Sequence, residues 1–314
     1  MTRTGLLFCF IVLLVAFSAS NAQNVVVPDG LVVDSTLTSR ITAMVHDLGL
    51  DRDYDVGEDG IEQISLAVVD LRASPPRLGG YHWENFIYPA SVYKMYVGAE
   101  VLHQISEGEY SLMTPFVVHS PNDVDRSREL EWDPRPLLKD GDTVTVGYLL
   151  DLMITRSDNS AANCLIDLAR RQRINTLMRR YHWEGSEVTR KFLKRKYEDS
   201  AYAAVRGTET CALHAAEFMT RIRQRTLVNP WVSMQLESYL GRQLDTTKLS
   251  TGLPPGAMFY HKTGWFAYWT NDVGIVDDGT VRYVISCFLP IPEDQARPKM
   301  QELSRRIYDM MNGR

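Results

Sequence analysis

Residues 88–102 read YPASVYKMYVGAEVL. Pro89 suits the first turn of a helix, where its missing N–H is not needed. Met95, Ala99, Leu102 and Ile105 then recur at helical spacing, and Gly108 ends the run. Ser91 and Lys94 are three residues apart, so a helix puts their hydroxyl and amine on one face. Both fall in the first turn, where partial positive charge favours an oxyanion near Ser91. The same field, with partial burial, favours the neutral amine of Lys94. A neutral amine can take the Ser91 proton and turn the hydroxyl into a nucleophile. Alone, an S-x-x-K spacing arises about once by chance in a chain of this length.

Reading outward from that helix, Ser39–Leu48 has the pattern of an amphipathic helix. Ile64–Leu71 reads as a buried strand, and Ala73–Gly80, rich in Pro and Gly, as a turn. Downstream, Thr145–Ile154 and Ala161–Ala169 read as apolar helices broken at Arg156–Ser160. Arg170–Arg206 is charged, with five basic residues from Arg190 to Lys196. Such a run reads as a solvated loop face rather than a dock for an anionic polymer. Glu209–Thr220 is helical again. Ala257–Gly264, Asp272–Val276 and Val281–Leu289 read as strands, the last two joined as a hairpin at Asp277–Gly279. Met300–Met311 closes as an amphipathic helix. Strands at both ends and helices between them predict one sheet built from distant parts of the chain, with a mostly helical insertion.

Two further motifs fall on the elements their chemistry needs. Ser157-Asp158-Asn159 occupies the break between two helices. Ser157 offers a hydroxyl able to relay a proton, Asn159 an amide able to hold a substrate amide, and Asp158 a carboxylate suited to binding turn backbone. Lys262-Thr263-Gly264 falls on a predicted strand. Lys262 and Thr263 suit a substrate carboxylate, and Gly264 lets another backbone come close.

The order S-x-x-K, S-D-N, K-T-G, with its members 66 and 105 residues apart, resembles the class A β-lactamases and penicillin-binding proteins. The likeness runs from about Leu37 to the C-terminus and is carried by YPASVYKMYVGAEVL, TVTVGYLLDLMITRSDNSAAN and HKTGWF. It implies an α+β fold in three α/β/α layers, the β-lactamase/transpeptidase-like fold. That is an antiparallel sheet flanked by the terminal helices, with an inserted all-helical subdomain. Residues 37–80 and 207–314 would form the α/β part and 81–206 the helical part of one catalytic domain, 23–314. By resemblance Ser91 is the acylated nucleophile, Lys94 its proton acceptor and Ser157 the shuttle to the leaving nitrogen. Asn159, Lys262, Thr263 and Gly264 would bind substrate. The N–H groups of Ser91 and Trp265 would form the oxyanion hole, with the Trp265 indole lining the cleft. The resemblance implies no metal or organic cofactor, a monomer, and a small β-lactam or D-alanyl peptide as substrate.

The sequence departs from that family in two places. Class A enzymes carry a deacylating Glu in an E-x-x-L-N loop, and no E-x-x-L-N occurs here. Counting back from RGTET puts Lys194 near that place, with Glu198 and Asp199 as neighbouring acids. Second, many class A enzymes place an Arg on the strand after K-T-G, and here that run reads Thr270-Asn271-Asp272-Val273-Gly274, without Arg and with the acid Asp272. That acid is expected to repel a substrate carboxylate or to select another substrate. The family reading is a serine hydrolase that forms an acyl-enzyme, a class A-like β-lactamase opening the β-lactam amide. The alternatives are a D-alanyl peptidase or esterase, or a slowly deacylating penicillin-binding receptor. The lifetime of the acyl-enzyme separates them.

Composition is that of a globular chain: 314 residues, 45% hydrophobic and 23% charged. A net charge of −5 argues against nucleic-acid binding by bulk electrostatics. Residues 1–22 read as a signal peptide: Arg3, the 12-residue apolar run Leu6–Phe17, then Ser20 and Ala22 at the cleavage positions. Export to a periplasmic or extracellular space is therefore expected. Beyond Cys9 in that segment, Cys164, Cys211 and Cys287 read as buried small hydrophobes. No C-x-x-C or H-E-x-x-H occurs, so a metal site has no motif behind it.

Overall fold

The computed structural model of the chain describes residues 25–127, 130–198, 200–201 and 207–313. The expected signal peptide (1–22), Cys9 within it, and Asp199 lie outside the described residues. Within them the strands are β1 (Val32–Val33), β2 (Tyr54–Asp55), β3 (Ile61–Glu62), β4 (Ser65–Asp70), β5 (Arg77–Tyr81), β6 (Pro115–Val117), β7 (Thr143–Thr145), β8 (Met258–Phe266), β9 (Trp269–Asp277) and β10 (Arg282–Leu289). The helices are α1 (Ser35–Asp47), α2 (Lys94–Ser106), α3 (Val146–Thr155), α4 (Asn159–Ala169), α5 (Arg171–Arg180), α6 (Ala212–Gln224), α7 (Pro230–Leu240) and α8 (Glu293–Met311).

The main sheet runs β1-β5-β4-β10-β9-β8. It is antiparallel except for the two-residue β1, which lies parallel to β5. β10 joins the chain's two ends: Ser286 pairs with Ala67 on one side and with Val273 on the other. The strand period of two decides which core each side chain enters. Leu66, Val68, Tyr283, Ile285, Cys287 and Leu289 face α1 and α8, where they meet Ile41, Val45, Leu303 and Ile307. Ala67, Val69, Val273, Ile275, Val284 and Phe288 face the other way, into a larger core shared with the helical part. Both faces being covered explains why the middle strands are apolar at nearly every position instead of alternating. The α+β, three-layer arrangement expected from the sequence is the one observed.

α2 is the axis of the helical part. It is buried from Lys94 through Gln104, so its polar residues need partners inside. Glu100 supplies several, accepting from Gln104 Nε2 at 2.7 Å and Arg173 Nε at 3.0 Å and contacting His103 Nδ1 at 3.1 Å. Asp158 caps α4 by accepting from the Ala161 N–H at 2.7 Å. Cys164, Cys211 and Cys287 are buried and free.

Three elements differ from the sequence reading. Arg77–Gly80 is not turn but most of β5, and its glycines answer to crowding: a Cβ on Gly80 would lie 2.1 Å from the Leu66 carbonyl oxygen. The charged stretch after Arg170 contains α5, which buries Ile174, Leu177 and Met178. α7 went unread, although Asn229 as N-cap and Pro230 at its start are ordinary signals.

One buried histidine joins α6 to α2 through a chain of hydroxyls and makes the fold pH-dependent. His214 on α6 contacts Ser186 Oγ at 2.8 Å; Ser186 Oγ meets Thr210 Oγ1 at 2.8 Å, and Thr210 Oγ1 meets Tyr96 Oη at 3.0 Å. Burial pushes the imidazole from 6.5 down to about 4. Between those values the unfolded chain binds a proton that the folded chain refuses. The stability involved is intact above about pH 6.5 and is lost as pH falls toward 4, up to about 3 kcal/mol. The melting-temperature advantage of the parent over His214→Gln should therefore shrink on acidification across that interval. A difference that stays constant with pH would mean that His214 titrates normally in the fold.

Candidate active site

The chain enters the site through a strained turn. Ile87 exchanges two backbone hydrogen bonds with Thr210, at 2.9 and 3.2 Å, and Pro89 follows. Ala90 then adopts φ +46°, a left-handed backbone that a residue with a Cβ takes only when its surroundings hold it there. Ala90–Tyr93 forms a single tight 3-10 turn that runs on into α2. This corrects the expected start of the helix: Ser91 stands in the turn before α2, and Lys94 is the first residue of α2.

Lys94 is fully buried, and its Nζ lies 3.0 Å from Ser91 Oγ. The same nitrogen meets the Ser157 carbonyl oxygen, Ser157 Oγ at 3.2 Å and Asn159 Oδ1 at 2.8 Å. Ser157 reaches it from the α3–α4 break with φ +61°. The break is fixed by charge. Asp125 accepts from the Asn159 N–H at 2.8 Å and from Asn159 Nδ2 at 3.0 Å. Arg156 Nη2 donates to Asp158 at 2.7 Å. Burial, and then the neighbouring Asp125 charge, push the Asp158 carboxyl up. An amine between two hydroxyls can accept a proton from one and return it through the other.

The facing wall is β8. Lys262 is fully buried and donates to the Thr263 carbonyl at 2.9 Å. Gly264 lies against the nucleophile's own backbone: a Cβ there would stand 2.7 Å from the Pro89 carbonyl oxygen and 2.8 Å from the Ser91 nitrogen. Trp265 and Phe266 remain 45% and 59% exposed, so the wall ends in an aromatic rim. Asp272 departs from the expectation placed on it. It is fully buried, 2.8 Å from His261 Nδ1, and it accepts from the Leu249 N–H at 3.1 Å. With both oxygens engaged within the protein, it does not line the cleft and makes no direct contact with what binds there.

Between the walls is a cleft of about 200 Å³ lined by Ser91, Ser157, Asn159, Thr263, Gly264 and Trp265 together with Tyr88, Ala90, Phe192, Asp245 and Phe266. Lys94 and Lys262 stand behind this lining. Asp245 is the one carboxylate in it among the described residues. Burial alone would raise its carboxyl, but the Lys248 charge and bonds from Lys248 and Thr247 hold it below the usual range. Lys248, fully buried, also bonds Glu293 at 2.7 Å. Burial pushes the Tyr88 phenol up to about 12. No group of three or more His, Cys, Asp and Glu placed to share a metal occurs among the described residues.

The loop expected to hold a deacylating acid presents a phenyl ring instead. Phe192 stacks on Tyr93 with centroids 4.8 Å apart and planes 7° from parallel, and Lys94 Nζ lies 4.2 Å from its centroid. Buried Asn163 grips the Phe192 main chain, accepting its N–H at 2.7 Å and donating to its carbonyl at 3.4 Å. Lys194, the position reached by counting, is exposed. Glu198 is bound to Arg171 and accepts from the Lys191 N–H at 2.9 Å, with its side chain 1% exposed and outside the cleft lining. Asp125, Phe192 and Asp245 were missed because an acid in a loop or a phenylalanine in a charged run carries no periodic signal.

A family model for beta-lactamase enzymes matches residues 52–311. Among solved structures, PBP-A superposes with a TM-score of 0.74 at 20% identity, covering 88% of this chain and 97% of its own. A PBP-A mutant solved as an acyl-enzyme complex with penicillin G gives 0.73 at 20%, over 90% and 98%. A beta-lactamase from Sphaerobacter thermophilus DSM 20745 gives 0.73 at 18%, over 88% and 98%. At such identities the likeness carries the fold alone. A comparison with curated proteins returns no match.

The contact at Gly264 makes a direct test of this geometry. Gly264→Ala forces β8 and the Ser91 turn apart, since both close neighbours are backbone. Reaction of Ser91 with an acylating probe, followed by intact mass, should slow roughly 100-fold, the scale of an ångström-sized displacement. A variant reacting at the parental rate would mean that the two walls move independently.

Proposed function

Because the chain belongs to the beta-lactamase enzyme family, we propose that it is a serine hydrolase that opens an amide through an acyl-enzyme on Ser91, with β-lactams among the compounds that acylate it. The observation that carries this reading is the set of oxygens around Lys94 Nζ: Ser91 Oγ at 3.0 Å, Ser157 Oγ at 3.2 Å and Asn159 Oδ1 at 2.8 Å. The neutral amine takes the Ser91 proton as Oγ attacks the carbonyl carbon. The N–H groups of Ser91 and Trp265 receive the developing oxyanion. The proton then passes through Ser157 to the departing nitrogen, and the C–N bond breaks. Asn159 Nδ2 holds the substrate's side-chain amide, and Lys262 and Thr263 hold its carboxylate.

Of the outcomes left open by the sequence, the geometry favours slow deacylation of β-lactam adducts. Hydrolysis of the ester needs a base to activate water. Phe192 covers Lys94 from the loop side, Glu198 is bound to Arg171, and Asp245 is bound to Lys248. This supports a peptidase or esterase of the penicillin-binding kind over an efficient β-lactamase. The acyl-enzyme with penicillin G in the PBP-A mutant, a structural neighbour, is in keeping with that reading.

Intact mass against time after mixing with benzylpenicillin tests both halves. A single adduct on Ser91 that outlasts its formation is expected, with none in Ser91→Ala; an adduct on Ser91→Ala would remove the nucleophile assignment. Hydrolysed drug accumulating far beyond the enzyme would return the β-lactamase reading. Phe192→Glu, which brings a carboxylate beside Lys94, should shorten the adduct lifetime about 100-fold, the usual contribution of general-base catalysis. An unchanged lifetime would show that residue 192 does not face the ester.

A further inference from the structure

The residue opposite Gly264 in the β8–β9 register is Asn271, on the strand behind the wall of the cleft. It is fully buried, a primary amide placed between Gly264 and Phe288 in the sheet. Its Nδ2 donates to the Tyr88 carbonyl oxygen at 3.1 Å. Its Oδ1 has no hydrogen-bond partner among the described residues. Burying such an acceptor without a partner is unfavourable, and an apolar residue of similar shape avoids that cost. The offsetting gain lies in what the donor holds.

Tyr88 begins the turn that ends in Ser91. Upstream, Ile87 is fixed by its backbone pairing with Thr210. Downstream, Ala90 is in the left-handed region and Val92 N donates to the Pro89 carbonyl at 3.1 Å. Gly264 presses on the Pro89 oxygen and the Ser91 nitrogen from the same face of the sheet as Asn271. Gly264 limits how near the turn can come, and the Asn271 donor stops it from leaving. The Tyr88–Pro89 peptide can be held only by its carbonyl, because Pro89 has no N–H.

We infer that Asn271 is a positioning residue for the oxyanion site: by holding the Tyr88 carbonyl it fixes the direction of the Ser91 N–H. The inference rests on the acyl-enzyme reading above. It predicts an effect on the tetrahedral state and not on substrate docking, since Asn271 is not part of the cleft lining.

The test is rapid-quench acylation by benzylpenicillin, followed by mass, together with inhibition by phenylboronic acid, which forms a tetrahedral adduct on a nucleophilic serine. Asn271→Leu keeps the branched shape and removes the donor. Its acylation rate constant should fall roughly 10- to 100-fold, its boronate affinity should fall by the same factor, and the dissociation constant of the pre-acylation complex should stay at the parental value. Asn271→Asp returns a donor only when its carboxyl is protonated, so its rate relative to the parent should climb as pH is lowered. A folded Asn271→Leu with parental rate and boronate affinity overturns the inference. If that variant does not fold, a pH-independent ratio for Asn271→Asp overturns it. A parent protein that benzylpenicillin never acylates overturns the proposed function instead, and this inference with it.

Discussion

The site is organised by the need to keep one buried amine among oxygens. Removing a lysine from water is expensive, and the interior tolerates it only where hydrogen-bond acceptors replace the lost hydration. Lys94 finds them on separate pieces of chain: Ser91 in the turn before its own helix, and Ser157 and Asn159 at the α3–α4 break. The break must therefore dock on the start of α2. That requirement explains the charged scaffolding behind it, in which Asp125 holds Asn159 and Arg156 holds Asp158. It also explains why α2 runs through the centre of the helical part and is buried on all sides.

The second half of the cleft is brought to Lys94 by backbone shape rather than by charge. β8 approaches the Ser91 turn as closely as it does because Gly264 has no side chain. The strand is held in turn by β9, and β9 by β10, the strand that draws distant parts of the chain into one sheet. Position along the sheet is thus converted into position of a carbonyl and two N–H groups. Charged and polar groups in this half are paired within it: His261 meets Asp272 behind the lining, and buried Lys248 meets Glu293 and the cleft-lining Asp245.

What could be read beforehand follows the range of the interactions. Ser91 and Lys94 lie within one turn of each other, so local geometry alone joins them. Alternation and apolar runs likewise exposed β4 and β10. Ser157 and Lys262 needed the order of motifs, since nothing local links them to Ser91. Phe192 escaped because its place is decided by Asn163 and Tyr93, far away in the chain, while its neighbours in sequence read as a solvated basic run. Asp272 was misjudged for a related reason. Its place on the strand after K-T-G was legible, but the burial that turned its carboxylate to His261 and the Leu249 N–H came from tertiary packing.

The grip of Asn163 on residue 192 has a consequence for how this protein can change. Both contacts are made to main-chain atoms, so this part of the loop's anchoring persists whatever side chain is carried there, and only the stack on Tyr93 depends on the ring. A lineage can thus sample acids, amides or rings at that one point while the architecture stays as it is. Reactivity toward water and robustness of the fold become separately heritable traits, and selection can act on the first without renegotiating the second.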